Sequence, residues 1–393
     1  MTFIGFAGIL LGLLGALWFS AHYTNRKIGM FALIATLHVV TAVVYYRYVQ
    51  TNDADTSLYY FDFYELYYLD FALGTQFVVY LVQWLRDAIG GSYLDYFLLF
   101  QALGLWGIAL LVRTLEELAD VLKQPWPQMF TVMMFMPGMY FWTSAIGKDA
   151  PLFLACAMVL WSTMAISRRW LWFGLAIAIM VLFRLHVALV AVAALAVTLM
   201  TGKGISPVLR ALLIVATIPV LFVLVDTVQA SFKLDLASVG SVANYVEDQT
   251  NSLAEAAGQT QGIVTQPFPV KLFSLLYLPF FIGSGGIFGF IASFQNVFVL
   301  YVSSVLVRET RSWRAMFRES LPIRFATIFL AAMIVMLTVM YYNVGLGLRQ
   351  REMFTPALYL VFGALYLVRS ARHAAAPLLG QTYRPADWTQ SRT

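Results

Sequence analysis

The stretch FIGFAGILLGLLGALWFS (Phe3–Ser20) runs for 18 positions without a single charged residue. A helix of about 20 apolar residues crosses the roughly 30 Å hydrocarbon layer of a membrane. Because lipid offers no hydrogen bonds, the backbone of such a segment must satisfy its own polar groups, which an α-helix does. The run is long and lacks a basic region before it, so we interpret it as a retained transmembrane helix and not as a signal peptide.

Apolar runs of this kind recur along the whole chain. Hydrophobic residues make up 61% of the sequence and charged residues 11%, whereas soluble domains carry about 25% charged residues. We therefore predict an all-α, polytopic helical integral membrane protein with roughly eleven spans. The predicted spans are 3–20, 28–46, 94–112, 128–144, 150–167, 170–183, 185–201, 209–228, 286–307, 323–341 and 354–370. Cys156, the only cysteine, lies inside an apolar run, where a packing role is expected.

Basic loops predict the orientation of these spans. The segments HYTNRK (22–27), ISRRW (166–170), TGKGISPVLR (201–210), RETRSWRAMFRESLPIR (308–324) and RSARH (369–373) all fall on the same side of the predicted spans. Lys and Arg collect in cytoplasmic loops of membrane proteins. We therefore predict that the N-terminus lies outside and the C-terminus lies in the cytoplasm, with residues 1–393 forming a single transmembrane domain.

Two segments are predicted to lie on the external face. The first, residues 48–93, contains the acidic motif, and its residues 59–90 alternate apolar, aromatic and charged side chains, which favours amphipathic helices at the membrane surface. A short span at 71–85 is the competing interpretation. Residues 229–270 are rich in Ala, Gly, Gln and Ser, and we predict an external loop there that could act as a lid.

Charged side chains on the predicted external face are the candidate functional residues. They are Asp53, Asp55, Lys148, Asp149, Arg184, Arg349, Arg351 and Glu352. Ionisable groups at membrane depth are costly and often mark functional sites. Simpler explanations stay open for each: a solvated loop for the aspartates, a local ion pair for Lys148 and Asp149, and membrane-flanking arginines for the others.

The chemistry of these residues suggests that they bind a phosphate group. Basic residues gather on the side where the orientation rule disfavours them, and Arg forks and Lys ammonium groups both bind phosphate oxygens. A nearby carboxylate could act as general base toward an acceptor hydroxyl while the cations stabilise a departing phosphate. The spacing of Asp53 and Asp55 could alternatively hold a divalent cation such as Mg²⁺ or Mn²⁺. No two of the four histidines have the spacing of a zinc site.

The order of these motifs resembles the GT-C superfamily of membrane glycosyltransferases, particularly members from bacterial exopolysaccharide and cell-envelope clusters. The acidic motif of that family is similar to Asp53-Ala54-Asp55-Thr56-Ser57-Leu58-Tyr59, and its arginine at the start of a helix is similar to Arg184-Leu185-His186. Two further motifs are matched by Pro137, Trp142, Ser144, Lys148 and Asp149, and by Asn343, Gly345, Arg349, Arg351 and Pro356.

The resemblance implies a GT-C-like fold and an inverting transferase that uses a polyprenyl-phosphate-linked sugar as donor. Asp55 or Asp53 would be the catalytic base. Donor phosphate would be held by Lys148, Arg184, His186, Arg349 and Arg351, with support from Asp149, Tyr59, Asn343 and Glu352. The resemblance places the chain in the bacterial inner membrane, with membrane lipid, a lipid-linked sugar, a glycan or lipid acceptor and envelope polysaccharide-assembly proteins as partners.

Two other functions stay open at this point. An oligosaccharide repeat-unit polymerase would use pyrophosphate-linked donors, and a flippase would move lipid-linked glycans without covalent change. Transporters often contain internal repeats, and no clear repeat is visible between the two halves of this chain. The net charge of +5 is explained by cytoplasmic loops, so nucleic acid is not an expected partner.

Overall fold

The computed structural model of the protein describes residues 2–20, 28–52, 54–201, 206–232, 266–281, 286–341 and 343–375, together with residues 240, 244, 247 and 248. All regular secondary structure in these residues is helical, as the sequence predicts. The helices are α1 (Phe3–Ser20), α2 (Ile28–Tyr48), α3 (Asp55–Phe61), a 3-10 turn (Leu66–Tyr68), α4 (Thr75–Ile89), α5 (Tyr93–Val121), α6 (Gln128–Met134), α7 (Pro137–Thr143), α8 (Asp149–Met164), α9 (Ile166–Thr201), α10 (Pro207–Phe232), α11 (Phe268–Tyr277), α12 (Ile287–Arg308), α13 (Thr310–Glu319), α14 (Leu321–Val339), α15 (Val344–Arg351) and α16 (Thr355–Ala375).

Several of these helices are long and apolar enough to cross a membrane. Within the described residues they are Gly29–Tyr48, Tyr93–Val121, Ile166–Thr201, Ile287–Arg308 and Leu321–Val339. A sixth candidate is the pair Val344–Arg351 and Thr355–His373, whose axes are bent by 60°. This is the pattern of a multi-pass membrane protein. The total of about eleven spans and the orientation of the termini stay predictions.

The described residues cluster into two compact units. The first unit comprises residues 1–120 and 125–188, and the second comprises residues 121–124 and 189–393. The predicted site residues therefore fall in both units, because Asp55, Lys148, Asp149, Arg184 and His186 belong to the first unit. Asn343, Arg349, Arg351 and Glu352 belong to the second. The prediction of a single transmembrane domain stays a prediction.

Three predicted spans differ from the observed helices. The run 128–144 is divided into α6 and α7, and α7 begins at Pro137. Proline has no backbone N–H and excludes the helical conformation from the residue before it, so the helix ends and restarts there. The predicted spans 170–183 and 185–201 form one 36-residue helical element, α9, with non-helical backbone at Arg169 and Arg184. The predicted turn at Arg184 is thus a local break within α9.

The segment after α2 contains the predicted amphipathic helix. In α4, Val78, Val79 and Val82 are fully buried on one side, whereas Tyr80 and Trp84 are 40% and 52% exposed. The helix has 15 residues, which corresponds to about 22 Å, so it is shorter than the hydrocarbon layer. This length favours the amphipathic interpretation over a span at 71–85. Most of the predicted lid, including residues 233–239 and 249–265, lies outside the described residues.

A buried histidine joins α2, α5 and α7 in the first unit. The Nδ1 atom of His38 lies 3.1 Å from Oε1 of Gln101, and its Nε2 atom lies 3.0 Å from Oγ1 of Thr143. The His38 side chain is fully buried. Gly104 makes room for this arrangement, because a Cβ atom there would overlap the carbonyl oxygen of Thr143 and lie 2.9 Å from Cε1 of His38. We call the His38, Gln101 and Thr143 side chains the His38 cluster. This cluster fixes the end of α7, which lies shortly before Lys148.

We expect Gly104→Ala to destabilise the first unit by about 2 kcal/mol, because the added methyl group must displace backbone atoms of α7. The melting temperature of the detergent-solubilised protein measures this change. Gly174→Ala is the matched control, since nothing lies within 4 Å of a Cβ atom there. Alanine favours helix over glycine, so the control should melt at or above the wild-type temperature. Equal melting temperatures for the two variants would contradict the conclusion that close packing at Gly104 stabilises the first unit.

Candidate functional site

The predicted site residues of the first unit lie around a break in helix α9. Arg184 has φ −153° and ψ 87°, which interrupts the helix without a proline or glycine. Next to the break, the carbonyl oxygen of Leu182 accepts a hydrogen bond of 2.9 Å from the backbone N–H of Gly74. Gly74 has a positive φ of 81°, a conformation that glycine adopts readily. The chain just before α4 is therefore attached to the break.

Four of the predicted residues are gathered around this break, and we call Lys148, Asp149, Arg184 and His186 the Arg184 centre. Nη2 of Arg184 lies 3.7 Å from Oδ1 of Asp149, and the two side chains are 12% and 9% exposed. His186 lies close enough to interact electrostatically with both Arg184 and Lys148. The centre thus contains two cations and one carboxylate, and charges that are shielded from water interact more strongly than exposed ones.

A threonine that the sequence analysis did not select also belongs here. The ammonium group of Lys148 donates a hydrogen bond of 2.6 Å to Oγ1 of Thr75, the first residue of α4. Lys148 itself directly precedes α8, which begins at Asp149. The Gly74-Thr75 pair before an amphipathic helix was the only sequence signal for this contact, and it is a weak one. Thr75 thus positions the ammonium group of Lys148 within the Arg184 centre.

The candidate base lies on a short helix that packs on α4. Asp55 is exposed in the first turn of α3, whereas Tyr59 on the same helix is 1% exposed. Gln83 of α4 donates hydrogen bonds of 3.1 and 2.8 Å to the carbonyl oxygens of Tyr59 and Tyr60. Oγ1 of Thr56 accepts a further bond of 2.6 Å from the hydroxyl of Tyr93. These bonds fix α3, on whose exposed side Asp55 lies.

Helix α4 connects the two parts of the site in the first unit. Its first residue contacts Lys148 and its second half holds α3, so the position of Asp55 depends on the same helix as the position of the ammonium group. In the turn before α4, burial and the nearby carboxylate of Asp87 raise the pKa of Tyr67 above its usual value. Asp53 lies outside the described residues. The described residues contain no group of three or more His, Cys, Asp or Glu side chains that could hold a metal ion.

Four further predicted residues, Asn343, Arg349, Arg351 and Glu352, lie in or directly beside α15 in the second unit. Arg351 is 2% exposed, and its Nη1 atom donates a hydrogen bond of 2.7 Å to the carbonyl oxygen of Leu276 in α11. Its Nε and Nη2 atoms are buried and make no hydrogen bond within the described structure. Beside it, Oε1 of Glu352 accepts a bond of 2.9 Å from Gln295. Arg349 is half-buried on the same helix, α15.

Asn343 caps the N-terminus of helix α15. Its Oδ1 atom accepts hydrogen bonds of 2.7 and 3.4 Å from the backbone N–H groups of Gly345 and Leu346 at the start of α15. Asparagine is a preferred N-cap residue because it satisfies amide groups that have no partner inside the helix. Asn343 therefore positions the helix that contains Arg349 and Arg351.

Comparison of the chain with protein-family models, with curated proteins and with solved structures finds no match.

Proposed function

We propose that the chain is a GT-C-like glycosyltransferase that moves a sugar from a polyprenyl-phosphate-linked donor to an envelope glycan or lipid acceptor at the outer face of the bacterial inner membrane. The observation that carries this proposal is the Arg184 centre. There a helix break brings Arg184, Lys148 and Asp149 together, and α4 connects them to the helix of Asp55. The five apolar helices of the described residues support the membrane setting.

Lys148 and Arg184 would bind the donor phosphate. A guanidinium group can offer two parallel N–H donors to phosphate oxygens, and an ammonium group adds a compact positive charge. Asp149, at 3.7 Å from Arg184, would orient the guanidinium group, and Thr75 would orient the ammonium group through its 2.6 Å bond. Both cations would stabilise the negative charge that collects on the phosphate as the bond to the sugar breaks.

Asp55 would act as the general base. In the proposed reaction its carboxylate removes the proton of an acceptor hydroxyl, whose oxygen attacks the anomeric carbon of the donor sugar. The bond between that carbon and the phosphate oxygen breaks, and polyprenyl phosphate leaves with the bonding electrons. Attack from the face opposite the leaving group inverts the anomeric configuration. Each step uses side chains of the chain itself, and Arg349 and Arg351 stay candidate phosphate ligands in the second unit.

The direct test is sugar transfer by the purified full chain. Polyprenyl-phosphate donors with different radiolabelled hexoses are offered with a lipid and glycan extract of bacterial envelopes as the acceptor source. We expect transfer from at least one donor with release of polyprenyl phosphate. Transfer only from a pyrophosphate-linked oligosaccharide would replace the proposal with a polymerase. Movement of a labelled lipid across liposomes without covalent change would replace it with a flippase.

We expect Arg184→Ala to weaken the binding of polyprenyl phosphate to the purified chain by about 10- to 100-fold, since a hydrogen bond to a charged group contributes about 1.5–3 kcal/mol. Equilibrium binding of a fluorescent short-chain polyprenyl phosphate measures this loss. Arg47→Ala, which removes an exposed arginine at the end of α2, is the charge-matched control and should bind normally. Equal affinities for the two variants would remove Arg184 from the proposed phosphate site.

A further inference from the structure

Helix α13 lies at a membrane surface because of its neighbours in the chain. It directly follows α12 (Ile287–Arg308) and directly precedes α14 (Leu321–Val339), and both are long and apolar enough to span the membrane. A ten-residue helix between the ends of two spans must lie at the level of the lipid headgroups. The side chains that α13 exposes are therefore expected to face the headgroup layer.

The exposed side of α13 is strongly basic. Arg311, Arg314 and Arg318 are exposed, and at 3.6 residues per turn they fall within an arc of about 60°. Arg308, at the end of α12, is also exposed and adds a fourth positive charge. We call these four arginines the basic face. Ser312 and Met316, on the other side of α13, are buried.

The nearby acids do not neutralise the basic face. The carboxylate of Glu309 accepts hydrogen bonds of 2.7 Å from Ser312 and 3.2 Å from Arg372 of α16, so it is engaged on the buried side. Glu319 interacts electrostatically with the buried Arg324. Within the part of the chain that the structure describes, no arginine of the basic face forms an ion pair.

A buried arginine holds α13 in this orientation. Arg324 of α14 is 1% exposed, and its guanidinium group donates hydrogen bonds to the carbonyl oxygens of Phe317, at 2.9 Å, and Arg318 at the end of α13. A third bond of 3.4 Å reaches the carbonyl oxygen of Thr198 in α9. A cation at the C-terminus of a helix stabilises it. Trp313 lies half-buried at the edge of α13 and donates a 3.3 Å bond to Thr327, a position that tryptophan favours at membrane surfaces.

We propose that the basic face of α13 binds the phosphodiester groups of anionic phospholipids. Basic residues near a membrane are attracted to anionic lipids, and arginine forks match phosphate oxygens. A signal for membrane orientation alone needs positive charge in the loop, but it does not need three arginines on one exposed side of a helix that a buried Arg324 holds in place. The interaction is independent of the proposed sugar transfer and would anchor the second unit to its leaflet.

The test is a lipid titration of the detergent-solubilised full chain. Native mass spectrometry counts bound dioctanoyl phosphatidylglycerol and gives an apparent Kd, with dioctanoyl phosphatidylcholine as the neutral lipid. Simultaneous Arg311→Gln, Arg314→Gln and Arg318→Gln should weaken phosphatidylglycerol binding by about fivefold per arginine, and on the order of 100-fold together. Arg314→Gln alone should weaken it about fivefold, which keeps the test valid if the triple variant is unstable.

A matched control removes the same charge elsewhere. Arg47, Lys123 and Arg168 are also exposed, and replacing all three by glutamine should leave the Kd for phosphatidylglycerol within about threefold of wild type, because distant exposed charges are screened by salt. Equal losses in the two triple variants would overturn the proposal, as would equal affinity of the wild-type chain for the two lipids. Retention of wild-type affinity by the Arg311, Arg314 and Arg318 triple variant would also overturn it.

Discussion

Glu117→Ala is expected to destabilise the first unit by about 3–5 kcal/mol, since removing one partner of a buried ion pair leaves charge without compensation. Arg169 holds the Glu117 carboxylate through two bonds, 2.7 Å from Nη1 to Oε2 and 2.9 Å from Nη2 to Oε1. Arg113 and the indole of Trp161 also bond to Oε1, at 3.3 and 3.0 Å. The side chains of Glu117, Arg113 and Arg169 are only 12–19% exposed.

The two arginines that contact the Trp161 ring increase the loss of stability that we expect for Glu117→Ala. The two guanidinium groups lie over its ring, with centroid distances of 4.0 Å for Arg169 and 5.1 Å for Arg113. Both cation–π contacts are favourable, but without Glu117 they would hold two positive charges together with no anion between them. The backbone at Arg169 is also non-helical, so the carboxylate stabilises a break in α9 as well as two charges.

The buried Cys156 can report the stability of the first unit. Cys156 is the only cysteine, and it is fully buried in α8 of the first unit. A fluorogenic maleimide reacts with it only when the surrounding helices open, so the temperature of reaction measures the stability of the first unit. Asp120→Ala is the control, because Asp120 is an exposed acid on the same helix and such changes stay within about 0.5 kcal/mol. Identical reaction temperatures for the two variants would show that the Glu117 network contributes nothing.

The all-helical class and several helix boundaries follow from the sequence alone. The predicted span 286–307 corresponds to Ile287–Arg308, because the charges after the apolar run mark where the membrane segment stops. The predicted span 354–370 begins with its helix at Thr355, but the helix continues past Arg369 to Ala375. The break at Arg184 could not be predicted in this way. Arg184 interrupts a mostly apolar stretch and so resembles a turn between two spans. In the structure it remains inside α9, next to the hydrogen bond that the backbone N–H of Gly74 donates to the carbonyl oxygen of Leu182.

The candidate site was predictable only where its residues are neighbours in the chain. Lys148 and Asp149 are adjacent, but their association with Arg184 and Thr75 depends on how α4, α8 and α9 pack. Sequence order likewise cannot show that Arg351 is buried while Arg349, two positions earlier, is half-buried. That difference arises because Arg351 faces the carbonyl oxygen of Leu276 in α11.

Asp55→Asn is expected to lower the rate of sugar transfer by about 10²–10⁴-fold, the contribution of a positioned general base. Asparagine has nearly the same shape as aspartate, but its amide cannot accept the proton of an acceptor hydroxyl at neutral pH. The variant should still bind polyprenyl phosphate, because the proposed phosphate ligands are Lys148 and Arg184. The rate of transfer from the donor identified for the wild-type chain, together with the Kd for polyprenyl phosphate, separates loss of the base from loss of binding.

A purely structural role of Asp55 gives a different result. An acid in the first turn of a helix stabilises it by about 0.3–1 kcal/mol through the helix dipole, and Asp55 occupies that position in α3. If Asp55 had only this structural role, Asp55→Asn would lower the temperature at which Cys156 reacts. The rate of sugar transfer would then fall only slightly. Asp70→Asn, at an exposed acid in the same segment, controls for the loss of one surface charge. Transfer by Asp55→Asn at the rate of Asp70→Asn would exclude Asp55 as the base, because a general base cannot be removed without slowing proton transfer from the acceptor.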